Sequence, residues 1–334
     1  MISKFRIGVL VIILNFFASV AMIWGQDNPS LLQMAVPSLN IAPDARGGGM
    51  GDMGAATLPD INSQYWNAAK YAFMGSKAGV SLSYTPWLRK LVNDVALVNM
   101  TGYYKLGNSD LQAISASLRY FSLGEVNIWE NIGDVPYGLN PYEMAFDVAY
   151  SRKLSESYSM AVTLRYIRSD MGTDQNDESN AGNAFSADIS GYLEKYVLMG
   201  NAEALWSFGF NLSNIGSKIS YDGGNTNQYL PAKLTLGTGL LYPIDDYNQI
   251  GVYLDLNKYM VPYAPQKEEG ETDADYQTRV DDYKSWSSLS GMLKSFTDSP
   301  NGLLKEIMVS VGAEYSYNQQ FRPWWLLLRE CECR

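Results

Sequence analysis

Histidine is absent from all 334 residues. That excludes Ser–His and Cys–His nucleophile pairs and nearly every zinc-enzyme ligand set, so neither a catalytic centre nor a metal or other cofactor is expected. Cysteine is scarce as well. Cys331 and Cys333 are the only two, and they have no partner elsewhere with which to build a disulfide framework. Basic residues are in deficit, 25 Lys and Arg against 35 Asp and Glu, for a net charge of −10. No basic patch is available to neutralise phosphates, so nucleic acid is excluded as a partner. Beyond the first residues, no apolar run approaches the ~20 that a spanning helix needs.

What is present begins with an export signal over residues 1–25. Lys4 and Arg6 form the charged start, Ile7 to Ile23 the apolar run, and Gly25-Gln26 the expected cut, with no positive stop-transfer flank behind it. The chain is 46% hydrophobic and 18% charged, too polar for a helical membrane protein. A membrane β-barrel is compatible with such averages, because only alternate residues of its strands face lipid. The 24 Tyr and 8 Trp are enough for aromatic girdles at two membrane interfaces.

The decisive pattern is a period of two. Ile114, Ala116, Leu118 and Tyr120 alternate with Ser115, Ser117 and Arg119. The same alternation runs through Tyr142–Tyr150, Met160–Tyr166 and Phe185–Leu193. A repeat of two marks strands with one apolar and one polar face. Aromatics at the ends of the apolar faces, with charges of both signs on the polar faces, suit a lipid-facing exterior around a polar lumen. Further strands are read at Ala78–Tyr84, Asp94–Tyr104, Leu205–Leu212, Lys233–Tyr242, Ile250–Lys258 and Glu306–Tyr317. The expectation is an all-β fold: a transmembrane antiparallel barrel over residues 77–320, with about ten strands evident.

The connections support it. Short turns begin at Lys105, Lys153 and Pro243, whereas long segments span Ser122–Pro141, Ser169–Asn183, Ser213–Ala232 and Tyr259–Lys305. A middling connection near Glu194–Ala204 interrupts the alternation. Barrels of the outer membrane place short turns on the periplasmic side and long loops outside. Within the longest loop, Tyr276, Val280, Tyr283 and Trp286 share one helical face, so residues 270–298 read as a helical insertion.

Residues 26–76 do not alternate and are rich in Gly, Ala, Pro and Asn. Gly49, Gly51 and Gly54 make a literal G-x-G-x-x-G, yet Pro37 and Pro43 precede it in place of a strand, and no βαβ unit follows. The glycines instead let the backbone pass close to the barrel wall, as a compact plug would. Residues 321–334 show no alternation, and they read as the aberrant tail of a truncated or frameshifted gene, or as a short periplasmic tail.

Ile41-Ala-Pro-Asp-Ala-Arg, Gly51-Asp-Met-Gly, Asn62-Ser-Gln-Tyr-Trp-Asn and the run Ser81–Asp94 resemble the PorV family of type IX secretion, outer-membrane barrels of the FadL-like superfamily. Ile114–Gly124, Tyr150–Glu156 and Leu164–Asp170 extend the likeness, which covers about residues 35 to 320. It departs at Ala68, where the family usually has Pro, and in strand number, since the family barrel has fourteen against about ten evident here. The resemblance implies a non-enzymatic Bacteroidetes protein that binds the C-terminal domain of secreted cargo. It implies partners too: the large translocon barrel, and a PorU-like sortase complex that attaches cargo to lipopolysaccharide.

The candidate residues fall into three sets. Asp44, Arg46, Gly49, Gly51 and Asn67 belong to the plug. Trp87, Leu88 and Arg89 in the first external connection, with Ile128 and Trp129 in the second, are candidate partner-contact residues; they also suit an interfacial belt. On the polar faces, Arg119 is expected to pair with Glu143 or Asp147, and Arg165 with Asp188, with Glu314 facing the same way. These charges either pair inside a plugged lumen or line a polar path through it. Asp174, Asp177 and Glu178 form an acidic loop with oxygen ligands suited to Ca²⁺ or simply to water. Two functions follow: a cargo shuttle acting through its external loops, or a transporter of hydrophobic small molecules with an apolar pocket beneath the plug and an opening in the wall.

Overall fold

The computed structural model describes residues 32–87, 89–90, 92, 94–107, 110–128, 136–172, 181–223, 227–268, 270–297, 302–318 and 324–329. The signal-peptide region, Leu88, Trp129 and the acidic loop residues Asp174, Asp177 and Glu178 lie outside them.

The strands are β1 Ala78–Pro86, β2 Val95–Leu106, β3 Gln112–Leu123, β4 Val126–Ile128, β5 Tyr137–Leu139, β6 Tyr142–Lys153, β7 Tyr158–Asp170, β8 Gly182–Met199, β9 Ala202–Gly216, β10 Lys233–Pro243, β11 Asn248–Tyr259, β12 Met308–Tyr317 and β13 Trp324–Arg329. Eleven form one sheet in the order β1-β2-β3-β6-β7-β8-β9-β10-β11-β12-β13, and β4 and β5 make a separate hairpin in the β3–β6 connection. Every pair in the large sheet is antiparallel.

All ten strands expected from alternation are present. The middling connection is not: β8 continues to Met199, and a two-residue turn at Gly200-Asn201 leads into β9. Gly200 takes φ +66 there, a conformation a side chain would strain. Short and long connections therefore alternate without exception from β1 to β12. The tail also departs from expectation, because Trp324–Arg329 pairs with β12. The register slips by one residue between Val311 and Gly312, and a slip of that kind scrambles any period-two pattern.

The sheet is inverted relative to a water-soluble fold. Asn99, Thr101, Ser115, Ser117, Thr163 and Ser190 are buried on one face, while Leu82, Leu164, Phe185 and Val162 stand exposed on the other, Leu82 at 72%. Such a continuous apolar surface belongs in hydrocarbon, not water. Outward aromatics gather at both strand ends. Tyr104, Tyr150 and Tyr242 lie near the short turns; Tyr84, Tyr120, Tyr142, Tyr166 and Phe185 lie near the long loops. On β3, Ile114 lies opposite Tyr150, and Tyr120 follows six residues later. At ~3.3 Å per residue that puts about 20 Å of strand between the two girdles. Among the described residues no helix is long and apolar enough to cross a membrane.

The helical insertion is two helices with different surroundings. The first, Asp273–Ser285, buries no residue, and the second, Ser288–Thr297, is anchored by Gly291, Met292 and Ser295.

Candidate functional site: a plugged lumen and its external rim

Residues 32–76 run along the polar face of the sheet as short turns: a 3-10 turn at Pro37–Asn40, helices α1 Ala45–Gly49 and α2 Ser63–Trp66, and a second 3-10 turn at Ala68–Phe73. So irregular a segment can be buried only if its backbone groups find partners elsewhere. The wall supplies them. Ser83 donates to Pro43 O at 2.6 Å, Ser159 to Ala69 O at 2.8 Å, Ser207 to Ala56 O at 2.6 Å and Ser310 to Gly51 O at 2.8 Å. The Ser38 N–H donates to Glu143 at 3.0 Å, and the Gly54 and Ala55 N–H groups share Asp255 Oδ2 at 2.8 and 3.1 Å. Serines on the polar faces, with Glu143 and Asp255, are thus the plug's backbone partners, a role that alternation alone does not disclose.

Asp44 caps α1 through Gly47 N at 2.8 Å and accepts from Trp66 Nε1 at 2.7 Å. Burial outweighs these two donors and raises the Asp44 carboxyl above its ordinary range. Arg46 donates from Nε and Nη2 to the two oxygens of Glu314 at 3.1 and 2.9 Å, and from Nη1 to Asp60 at 2.5 Å. Burial alone would raise the Asp60 carboxyl, but the Lys70 and Arg46 charges override it and hold that group low. Asn67 bridges plug and wall, donating to Ala55 O at 2.8 Å and to Gly191 O at 2.9 Å. Gly51 sits in a turn at φ +87, and Gly49 closes α1. The G-x-G-x-x-G lies in neither a strand nor a strand–helix turn, so no nucleotide-binding geometry is formed.

The plug backbone passes close to the wall at Gly209 on β9 and its neighbour Gly237 on β10. A Cβ on Gly209 would stand 1.9 Å from Ala55 O, and one on Gly237 would stand 2.9 Å from the Ala55 methyl. Glycines inside a strand, such as Gly237 and Gly239, are where a kink or bulge in the wall would be sought. The β9–β10 and β10–β11 registers instead run through both without a shift, and the glycines make room for the plug and for Tyr253.

The lumen charges are distributed differently from the sequence expectation. Arg119 does not ion-pair with Glu143 or Asp147. Its Nη1 donates to Ser38 O at 2.7 Å and Ile41 O at 3.1 Å, with its guanidinium 4.5 Å from the Tyr65 ring centre. Plug carbonyls, which sequence spacing cannot place, take the role assigned to a carboxylate. Arg165 meets Asp188 at 2.8 Å and also Asp147 at 2.6 Å. A fourth member, Asn214, was not anticipated. An extra residue in β9 opposite Ala187–Ile189 puts Asn214 at φ +59. Its N–H, diverted from the ladder, donates to Asp188 at 2.7 Å, and its side-chain oxygen accepts from Arg165. Asn-Ile-Gly after an alternating run was the only available signal.

Little open space remains. The cavity between Arg119, Asp147, Arg165, Asn214 and the plug has a volume of about 30 Å³, room for about two waters. An apolar furrow of about 420 Å³, by contrast, lies on the outward face, floored by Gly102 and Ala116 between Val80, Met100 and Phe146.

The described candidate contact residues, Trp87, Arg89 and Ile128, occupy the long-loop rim. Trp87 follows β1 directly, its N–H donating to Val95 O at 2.9 Å, with its side chain exposed beside exposed Arg89. Ile128 pairs through its backbone with Tyr137 in the β4–β5 hairpin. The two sets are separate: plug and lumen residues form one connected network, and the rim residues stand outside it.

A comparison with curated proteins finds no match. The family model described as type IX secretion system protein PorV matches residues 25–267, which take in the plug, the Arg165 cluster and the strands through β11. The chain therefore belongs to the PorV family of type IX secretion system proteins.

Proposed function

We propose that this protein is a non-catalytic outer-membrane adaptor. It binds the C-terminal domain of secreted cargo at its external rim, collects that cargo from the translocon barrel, and passes it to the surface complex that attaches it to lipopolysaccharide. The observation that carries the reading is the filled lumen. Plug contacts reach β1, β3, β6, β7, β8, β9, β11 and β12, and the cavity left is about 30 Å³. A lumen so filled offers its partners a rim and an outer wall rather than a channel. Membership of a type IX secretion family supplies the pathway.

The runner-up, transport of hydrophobic small molecules, is favoured only by the furrow, which lies outside the wall and not beneath the plug. The test is a pull-down from detergent-solubilised outer membranes, with an affinity tag in the β7–β8 connection. Recovery of a large translocon barrel, or of secreted proteins sharing a C-terminal domain, supports the adaptor. Folded protein that returns with bound acyl chains and no protein partner supports the transporter.

A further inference from the structure

The second helix of the insertion, α4 Ser288–Thr297 (α3 being Asp273–Ser285), lies on the outside of the wall. Met292 is buried with Ala232 and Met260, against Leu212, Ile215, Leu234 and Phe296. Leu212 and Leu234 are cross-strand partners on the outward face, in line with exposed Phe208 four residues along β9 and exposed Leu236 two residues along β10. Lys258 pairs with Leu234 in the sheet and so also faces outward, yet it is buried, bonded to Glu306 at 2.6 Å. The helix and the turn Leu303–Glu306 thus fold down over the outer wall at the long-loop end of β9–β11.

Having buried one side, α4 exposes another that is just as apolar. Leu289 and Leu293, one helical turn apart, are 62% and 71% exposed, and Leu304 is 82% exposed. Polar residues of the same insertion could have taken these places at no cost in packing.

The aromatic girdle indicates what covers them. On β6, β7 and β8 aromatic side chains stand outward near the long-loop end, at Tyr142, Tyr166 and Phe185. On β9, β10 and β11 the last outward positions before the long loops are Ile215, Leu234 and Lys258, none of them aromatic. The insertion supplies what is missing. Trp286 stacks edgewise on Tyr283 with centroids 5.7 Å apart, and Lys294 Nζ stands 3.7 Å above the Trp286 ring. Trp, Tyr and Lys around an amphipathic helix are the composition of an element lying in a membrane interface.

We propose that α4 is an in-plane membrane element: its Leu289–Leu293 edge and Leu304 enter the acyl chains of the outer leaflet and complete the lipid-facing surface where β9–β11 lack a girdle. The occupant is lipid hydrocarbon, continuous with the lipid that covers Phe208 and Leu236.

The test uses the full chain reconstituted in liposomes with no partner protein. Single cysteines replace Leu293, Leu289, Leu236 and Asp275 in a Cys331→Ser/Cys333→Ser background, each labelled with an environment-sensitive fluorophore. These side chains are exposed and leave Met292 untouched, and heat-modifiable gel mobility verifies folding. At Leu293 and Leu289 the expected result matches Leu236: blue-shifted emission, strong quenching by acyl-chain spin labels and protection from iodide. Asp275, on the solvated helix, is expected to behave oppositely. Iodide quenching with no response to spin-labelled lipid at both leucines would overturn the proposal. So would shielding from both quenchers, which would assign the edge to a second copy of this chain.

Discussion

Arg46 and Glu314 stand 268 residues apart in the chain and meet through two parallel hydrogen bonds, one end in the plug and the other on β12. Glu314 also accepts from Tyr253 on β11 at 2.8 Å, so a single carboxylate ties the plug to two strands. Removing one member of a buried pair strands the other charge. Arg46→Met is expected to destabilise the folded barrel by about 3 kcal/mol. Arg46→Met/Glu314→Leu is expected to recover much of that loss, because no charge remains at position 314. Urea unfolding in detergent micelles, followed by gel mobility, measures both; equal losses in the single and double variants would exclude the pair as an anchor.

Gly209→Ala tests plug seating without touching a charge. The added methyl would lie 1.9 Å from the Ala55 carbonyl oxygen, so either the plug or β9 must shift. Overpacking of this kind costs about 1–3 kcal/mol. The displaced plug should admit protease at sites in residues 54–60 that are protected in the parent. Unchanged protection would mean that the plug moves without cost.

Lys70 gives the plug a pH dependence of known sign. Burial, opposed by Asp60, holds the buried Lys70 amine down at about 8, against 10.5 for an ordinary lysine. Between those values the unfolded chain binds the extra proton, so stability rises with pH through this window; below about 8 both states are charged and the cost of burial is fully present. Lys70→Met removes the contribution. The parent-minus-variant difference in unfolding midpoint should therefore climb from pH 8 to pH 10.5. A flat difference would show that the amine stays protonated throughout.

Rim and lumen variants should separate. Trp87→Ala and Arg89→Ala are expected to weaken cargo capture by tenfold or more if either is a contact anchor, since such residues carry about 2 kcal/mol each. Arg165→Met leaves Asp147 and Asp188 without their shared partner. It should lower stability while the surviving folded fraction captures cargo as the parent does. Loss of capture by folded Arg165→Met would place binding in the lumen.

Much of this molecule was legible from residue order. Period-two alternation follows from strand geometry, and the inversion of its faces, with Arg119 and Asp188 on one and Leu118 and Ile189 on the other, appears in any reading that tracks polarity. Ten strands were accessible in that way. The strand Trp324–Arg329 was not, because its slipped register breaks the pattern that reveals strands. Nor was Asn214, whose place depends on one extra residue in β9 opposite β8.

The partners of the buried charges show where the division falls. That Arg119, Arg165, Glu143 and Glu314 face inward is local, a matter of parity along each strand. What each meets there is not local. Arg119 takes the carbonyls of Ser38 and Ile41, Glu143 takes the Ser38 amide, and Glu314 takes Arg46. Those partners sit on an irregular segment whose path is set by the shape of the enclosing wall and by the gap that Gly209 and Gly237 leave open. The residue sequence by itself determined an inverted β-sheet with a glycine-rich plug. Only the tertiary structure decided which groups pair across the lumen and which helix lies against the outer wall, because contacts between distant segments depend on curvature, register and bulges that no local periodicity encodes.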